Sequence, residues 1–243
     1  MIKAHELIQN KQLTERDNGL YCLIGRAENG EVHFCDITNA PHILVGGYTG
    51  SGKSIFLRGV VLSLIMNYTA DEVGLILLDT KHHAEFVVYD KAPHVLGKEL
   101  ALAEEEMERR LALADDCKPK KKIVVIIDEY AELSRNPQDK AIVEKLLTSG
   151  HGVGIHVIMA TQQLCKRVIT PTLQQYLSTV VCCAVAEKAT SKFALGQYGA
   201  ERLLGKGDML YKDGGGNITR LQSGYVFERD TQEVVERISE KYA

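Results

Sequence analysis

The 243-residue chain has the composition of an average globular protein, with 45% hydrophobic and 25% charged residues. This balance excludes a chain that is disordered for lack of hydrophobic residues, and no apolar run approaches the ~18 residues of a membrane helix. The polar first residues lack the pattern of a secretory signal, so we expect a cytoplasmic protein. The net charge of −3 gives no overall attraction to nucleic acid, so DNA binding would depend on local basic positions.

The six cysteines occur without a CxxC pair, and most lie in apolar segments. Zinc sites usually show short paired spacings, and disulfide frameworks are typical of small secreted domains. We therefore expect reduced thiols in the core.

The N-terminal part predicts a short helix followed by a β-hairpin. Residues 1–18 are expected to form a polar lead-in helix, and residues 19–243 a single domain. The β-like stretches 19–25 and 31–37 are joined by Glu28-Asn29-Gly30, a sequence that favours a turn.

From Pro41 onward, short apolar runs alternate with helical stretches. Continuous apolar runs indicate strands that are buried on both faces, and the alternation predicts an α/β fold with a mainly parallel sheet and helices on both faces. The five runs are HILVGG (42–47), VGLILLD (73–79), IVVIID (123–128), GIHVIMATQ (154–162) and TVVCCAV (179–185). The helical stretches are 53–68, 100–116, 139–149 and a shorter one near 172–178.

The C-terminal part is less regular in sequence. After Glu187 we expect a short helix, a glycine-rich GKGDMLYKDGGGN segment, a strand that runs to Phe227, and a final helix from Asp230.

A phosphate-binding loop follows the first apolar run and precedes the first long helix. The sequence fits GxxxxGK[ST] in the strand–loop–helix context that this motif requires. Backbone N–H groups of such a loop point at the phosphates of ATP, the lysine pairs with the β- and γ-phosphates, and the final hydroxyl coordinates Mg²⁺. The candidate ATP-binding residues are Gly47, Tyr48, Thr49, Gly50, Ser51, Gly52, Lys53 and Ser54.

Two further strand ends carry polar groups that hydrolysis would need. Asp128 closes the run IVVIID and is a candidate magnesium ligand together with Ser54. Glu129 follows it and is a candidate to orient or deprotonate the attacking water. Gln162, after Thr161 in IMATQ, is a candidate sensor of the γ-phosphate.

The chain resembles the motor domain of FtsK/SpoIIIE-type DNA translocases, members of the HerA/FtsK class of P-loop ATPases. The resemblance covers roughly residues 24–227 and rests on family-specific segments as well as the P-loop. These segments are PHILVGG, LLDTK, EMERR, IVVIIDEYAEL, GIHVIMATQ and GAERLLGKGDMLY. The resemblance implies a RecA-like fold, a ring that is commonly a hexamer with ATP sites between subunits, and double-stranded DNA in the central channel.

The chain departs from the family pattern at positions that are often arginine. His151 stands where family members often carry an arginine that is a candidate to reach a neighbour's ATP, and Gln163 replaces the arginine of ATQRP. Arg109, Arg110 and Arg202 remain as candidate inter-subunit cations. A basic pair in the loop after IMATQ, Lys166-Arg167, is a candidate DNA-backbone contact or a solvated surface pair.

We therefore expect an ATP-hydrolysing translocase of double-stranded DNA that works as a homo-oligomeric ring. From its size we expect a free-standing motor of a plasmid, phage or integrative element, acting in DNA transfer, packaging or partition. Two alternatives stay open. One is a protein-secretion ATPase, and the other is a nucleotide-binding subunit that hydrolyses slowly because the arginine positions have changed.

Overall fold

The structure is a computed structural model that describes residues 3–8, 19–80, 85–114, 117 and 119–242. Its strands are β1 Tyr21–Arg26, β2 Val32–Asp36, β3 His42–Gly46, β4 Val73–Leu78, β5 Val95–Gly97, β6 Lys122–Ile127, β7 Ile155–Thr161, β8 Thr179–Cys183, β9 Asp208–Lys212 and β10 Ile218–Gln222. Its α-helices are α1 Ala4–Ile8, α2 Lys53–Asn67, α3 Leu100–Leu111, α4 Tyr130–Leu133, α5 Pro137–Ser149, α6 Pro171–Tyr176, α7 Lys188–Leu195 and α8 Glu228–Glu240. Within the described ranges, no helix has the length and apolar character that crossing a membrane would require.

All ten strands join one sheet in the order β2-β1-β10-β9-β8-β3-β7-β6-β4-β5. The segment from β8 to β5 is parallel throughout. The remaining strands form an antiparallel wing in which β9 pairs with β8 and β1 pairs with both β10 and β2. The predicted α/β fold, the parallel sheet and the N-terminal β-hairpin are confirmed.

Helices cover the parallel sheet on both faces because alternate side chains of each strand point to opposite faces. In β4, for example, Leu75 and Leu77 pack with α2, whereas Ile76 and Leu78 pack with α3 and α5. The central strands β3, β4, β7 and β8 are buried along their whole length. Polar groups of this region therefore gather where the strands end.

Several predicted boundaries change. The glycine-rich segment contains strand β9, which forms a second hairpin with β10 around the turn DGGGN. The predicted strand to Phe227 ends at Gln222, and the last helix begins at Glu228 rather than Asp230. The first difference has a physical reason: a sheet partner makes a strand out of a segment whose glycines alone indicate a loop. Of the predicted lead-in helix, α1 is seen, and residues 9–18 lie outside the described residues.

Four of the predicted core cysteines are buried, namely Cys22, Cys35, Cys182 and Cys183, while Cys117 and Cys165 are exposed. All six are free thiols.

Two buried histidines mark the amino ends of β3 and β7, at the edge of the sheet away from the P-loop. His42 accepts a hydrogen bond at Nδ1 from the Val157 amide at 3.1 Å. Burial, followed by the nearby His151, lowers the pKa of His42 to about 4. Burial, followed by His42, Lys122 and His151, lowers the pKa of His156 to about 3. Both imidazoles are therefore neutral in the folded protein at physiological pH.

These histidines predict acid sensitivity. Protonation begins in the unfolded chain near pH 6.5 and in the folded chain only near pH 4 for His42 and pH 3 for His156. Stability is therefore complete above pH 6.5 and falls as the pH drops from there towards 4, by up to about 1.4 kcal/mol per pH unit for each histidine. Urea unfolding between pH 7 and pH 4 checks this, and a His42→Gln/His156→Phe variant should show a shallower loss across that window. An equally steep loss in the variant would assign the acid sensitivity to other groups.

Candidate functional site

The P-loop lies between β3 and α2, as predicted. Gly52 precedes the first residue of α2 with φ of +115°, in a region that favours glycine. A Cβ there would lie 2.4 Å from the backbone nitrogen of Gly207, so the residue must also be small. The loop therefore has a close backbone neighbour from the start of β9.

The side chain of Lys53 folds back into the P-loop. Its Nζ donates hydrogen bonds to the carbonyl oxygens of Gly47 at 2.8 Å and Tyr48 at 3.0 Å, and the residue is 7% exposed. The ammonium group is thus held at the centre of the loop, where a phosphate group would meet it.

Asp128 directly follows β6 and is 6% exposed. Its Oδ1 accepts hydrogen bonds from the backbone N–H of Thr80 at 2.9 Å and from the Thr80 hydroxyl at 2.8 Å. Thr80 belongs to the segment after β4, so two neighbouring strand ends fix the carboxylate. Thr80 is a positioning group that the sequence analysis did not single out.

Glu129 is turned towards the end of β7 and is 3% exposed. Its Oε1 accepts hydrogen bonds from the Thr161 hydroxyl at 2.8 Å and from the Gln162 amide at 3.0 Å. The Gln162 side chain in turn accepts a 2.7 Å hydrogen bond from the Thr49 hydroxyl of the P-loop. A continuous set of hydrogen bonds therefore joins the P-loop, Gln162 and Glu129.

These strand ends surround a pocket of about 440 Å³. It is lined by Thr49, Gly50, Gly52, Lys53, Ser54, Ile55, Glu85, Asp128 and Gln162. The lining brings together the predicted phosphate-binding lysine, both predicted magnesium ligands and the predicted sensor. Glu129 lies behind this lining, since its carboxylate faces Thr161.

Three predicted ATP-binding residues do not line the pocket. Gly47 and Tyr48 offer their carbonyl groups to Lys53 instead, and Ser51 is fully buried beneath the loop, where its carbonyl accepts a 2.9 Å hydrogen bond from the Gly207 amide. They shape the loop rather than face the pocket.

Glu85 is a pocket residue that sequence reasoning missed. Arg58, on α2 one turn after Ser54, donates to the Glu85 carbonyl at 3.0 Å and pairs with its carboxylate at 3.0 Å. The Glu85 amide donates to Asp79 at 3.0 Å. Glu85 follows β4 in sequence, and polar groups that follow parallel strands meet at one edge of a sheet, which is the signal that could have found it.

The chemistry of the pocket fits a nucleotide with magnesium. The P-loop supplies amides and a lysine for phosphates, while Ser54 and Asp128 supply the oxygen ligands that Mg²⁺ prefers. Among the described residues, no group of three or more His, Cys, Asp or Glu side chains forms a ready metal site. Mg²⁺ usually keeps several waters and is bound by one or two protein ligands together with the phosphates of the nucleotide.

The candidate inter-subunit cations differ in the exposure of their side chains. Arg110 is 1% exposed and donates hydrogen bonds to Glu106, to the Lys121 carbonyl and to the Val153 carbonyl, each within 2.9 Å. Arg110 therefore packs inside the domain and does not fit the prediction of an inter-subunit cation. The Arg109 side chain is 53% exposed and pairs with Glu106, and the Arg202 side chain is 78% exposed and pairs with Glu201 at 3.6 Å. His151 is exposed at the amino end of β7, and Lys166 and Arg167 are exposed in the loop that follows Gln162.

Comparisons with known proteins agree on a family. The profile of the FtsK/SpoIIIE family matches residues 5–118. The protein named DNA translocase FtsK of Brucella melitensis is 31% identical over 98% of this chain, and that of Rhizobium meliloti is 33% identical over 97%. The chain spans about a third of the length of these relatives, 36% and 33% respectively.

Solved structures share the fold. The cytoplasmic domain of the type VII secretion ATPase EccC of Thermomonospora curvata has a TM-score of 0.82 at 23% identity, over 98% of this chain and 34% of that one. The pCW3 conjugation coupling protein TcpA, solved with ATPγS, has a TM-score of 0.78 at 24% identity, over 96% of this chain and 73% of that one. The chain thus has the fold of RecA-like P-loop ATPases, and it belongs to the FtsK/SpoIIIE family.

Proposed function

We propose that the chain is an ATP-hydrolysing motor that translocates double-stranded DNA as a homo-oligomeric ring, commonly a hexamer in this family. The observation that carries the proposal is the pocket at the carboxyl edge of the sheet, where Lys53, Ser54, Asp128 and Gln162 meet. The relatives named DNA translocase FtsK support the choice of DNA as the partner.

In this proposal the P-loop binds the phosphates of ATP. The loop amides and Lys53 would replace the hydration of the phosphate oxygens, and the lysine would exchange its contacts with Gly47 and Tyr48 for the nucleotide. Ser54 and Asp128 would hold Mg²⁺, which supplies neutralisation of the charge that develops on the phosphate oxygens. Thr80 keeps Asp128 in one orientation for that task.

Glu129 would handle the attacking water, and Gln162 would report the state of the nucleotide. Thr161 and the Gln162 amide orient the Glu129 carboxylate, so its position depends on the end of β7. Because Gln162 also contacts Thr49, a change at the P-loop on binding ATP would be transmitted to Glu129 through a single residue. The same segment continues into the loop with Lys166 and Arg167, two exposed cations that suit contact with a DNA backbone.

Secretion of a polypeptide is the second candidate function. The TM-score with the secretion ATPase EccC, 0.82, is higher than that with the conjugation coupling protein TcpA, 0.78. A secretion motor would need a protein partner, and DNA would not stimulate its turnover.

A slowly hydrolysing subunit is the third candidate function, because His151 replaces an arginine that is frequent in the family and Arg110 is buried. Arg202 is the most exposed of the three retained arginines and would serve best as the cation reaching a neighbour.

Steady-state ATPase activity with and without linear double-stranded DNA tests the proposal. We expect DNA to raise turnover several-fold and Lys53→Ala to abolish both basal and stimulated activity, because the lysine is the cation of the loop. Turnover that ignores DNA would favour secretion. Binding of ATP with little turnover at any DNA concentration would favour the slow subunit.

The role of Glu129 has its own test. Glu129→Gln should keep the affinity for ATP and lower kcat by about 10²-fold or more, as expected when a general base is lost. Thr161→Val removes the hydroxyl that orients Glu129 and should lower kcat about tenfold with an unchanged Kd for ATP, which corresponds to about 1.4 kcal/mol.

Thr161→Ser is the matched control, since it keeps the hydroxyl and should retain most of the turnover. Pre-steady-state hydrolysis and titration with a fluorescent ATP analogue separate kcat from Kd. An unchanged or raised kcat in Thr161→Val would contradict this role for Thr161.

A further inference from the structure

The underside of the P-loop rests on a tight turn formed by residues 204–208, which we call the support turn. The Gly207 amide donates a 2.9 Å hydrogen bond to the Ser51 carbonyl. The Gly207 backbone is also the surface against which Gly52 packs. The support turn thus touches the P-loop at the two residues that precede Lys53.

The support turn has a left-handed backbone conformation. Three consecutive residues have positive φ: Gly205 at +75°, Lys206 at +53° and Gly207 at +90°. Lys206 is the non-glycine residue with positive φ within the described part of the chain. The two glycines adopt this region freely, so the conformational cost falls on Lys206, and contacts with neighbouring residues offset it.

One ion pair closes the support turn. Asp208 is 6% exposed, and its two carboxylate oxygens accept hydrogen bonds from Arg220 Nε at 2.9 Å and Nη2 at 2.8 Å. The same carboxylate accepts the Leu204 amide at 2.8 Å, while the Asp208 amide donates to the Gly205 carbonyl at 3.1 Å. Asp208 therefore binds both ends of the turn and anchors them to β10.

Gln222, the last residue of β10, and Ser223 directly after it complete the anchor. The Gln222 side chain donates to the Lys206 carbonyl at 3.0 Å, and the Ser223 amide donates to the Gly207 carbonyl at 2.8 Å. Through these bonds, the antiparallel wing reaches the P-loop by way of a single short turn.

We propose that the Asp208–Arg220 pair is a positioning device for the nucleotide site, which sets the affinity for ATP by holding the support turn beneath Ser51 and Gly52. The proposal rests on the proposed function, since it concerns how tightly the same pocket holds its nucleotide. Loss of the pair would free the two ends of the turn that Asp208 holds, and the P-loop amides would lose their fixed direction. Binding would then weaken, while the groups proposed to carry out hydrolysis, which follow β6 and β7, would keep their places.

The chain offers a matched control in the Glu106–Arg110 pair. Arg110 is likewise bonded to a carboxylate, but it lies beside Lys121 and Val153, at the amino ends of β6 and β7 and away from the P-loop. Arg110 is buried, whereas the Arg220 side chain is 47% exposed. Its removal should lower stability at least as much as removal of Arg220, because a buried pair costs more to break than an exposed one, and should leave the P-loop untouched. Comparison of the two arginines separates a positioning role from general destabilisation.

The experiment is a titration of the Mg²⁺ complex of a fluorescent ATP analogue into the wild type, Asp208→Asn, Arg220→Met, Arg220→Lys, Arg110→Met and Lys53→Ala, with thermal unfolding of each. We expect a Kd about tenfold weaker for Asp208→Asn and Arg220→Met. A smaller loss is expected for Arg220→Lys, which keeps the charge without the two-pronged geometry. KM for ATP should rise in parallel with kcat nearly unchanged, and Arg110→Met should bind as the wild type does while melting at a lower temperature.

Wild-type affinity in folded Asp208→Asn and Arg220→Met would overturn the inference and leave the proposed function intact. Equal weakening in Arg110→Met would also overturn it, because the effect would then follow stability alone. If the wild type bound the analogue no better than Lys53→Ala, the proposed function itself would fail.

Discussion

Burial of the parallel sheet on both faces is the constraint from which the rest of the structure follows. Strands β3, β4, β7 and β8 have no exposed residue, so their polar neighbours can be accommodated only where the strands end. At the carboxyl edge, these neighbours are the P-loop, Thr80, Asp128 and Gln162, and they meet around one pocket. At the amino edge they are His42 and His156, which remain neutral because they are buried.

The antiparallel wing extends the sheet and also takes part in the site. Its strands β9 and β10 place Gly207 beneath the P-loop and tie it to Asp208 and Arg220. The P-loop is therefore held from two sides, by its own strand β3 and helix α2 and by a turn about 155 residues further along the chain. Contacts over such a distance in sequence make the affinity for nucleotide a property of the whole domain.

The end of β7 connects two parts of the proposed chemistry. Gln162 binds Thr49 through its side chain and Glu129 through its backbone, so a single residue contacts both the P-loop and the candidate base. The loop that follows carries Lys166 and Arg167 on the surface. A movement at Gln162 has a short covalent path to these cations, which is the arrangement that a motor coupling hydrolysis to movement on DNA would need.

The sequence by itself determined the α/β class, the N-terminal hairpin, the P-loop and the acidic strand end, because each of these depends on neighbouring residues. Apolar runs mark buried strands, and glycine spacing marks a loop that can approach phosphate. Only the tertiary structure decided that Glu129 faces Thr161, that Glu85 enters the pocket and that Arg110 is buried rather than offered to a neighbour. It also decided that the glycine-rich segment contributes a strand and a support for the P-loop. The physical reason is that these features depend on contacts between residues far apart in the chain. The local sequence around one residue does not specify which distant residue it will contact.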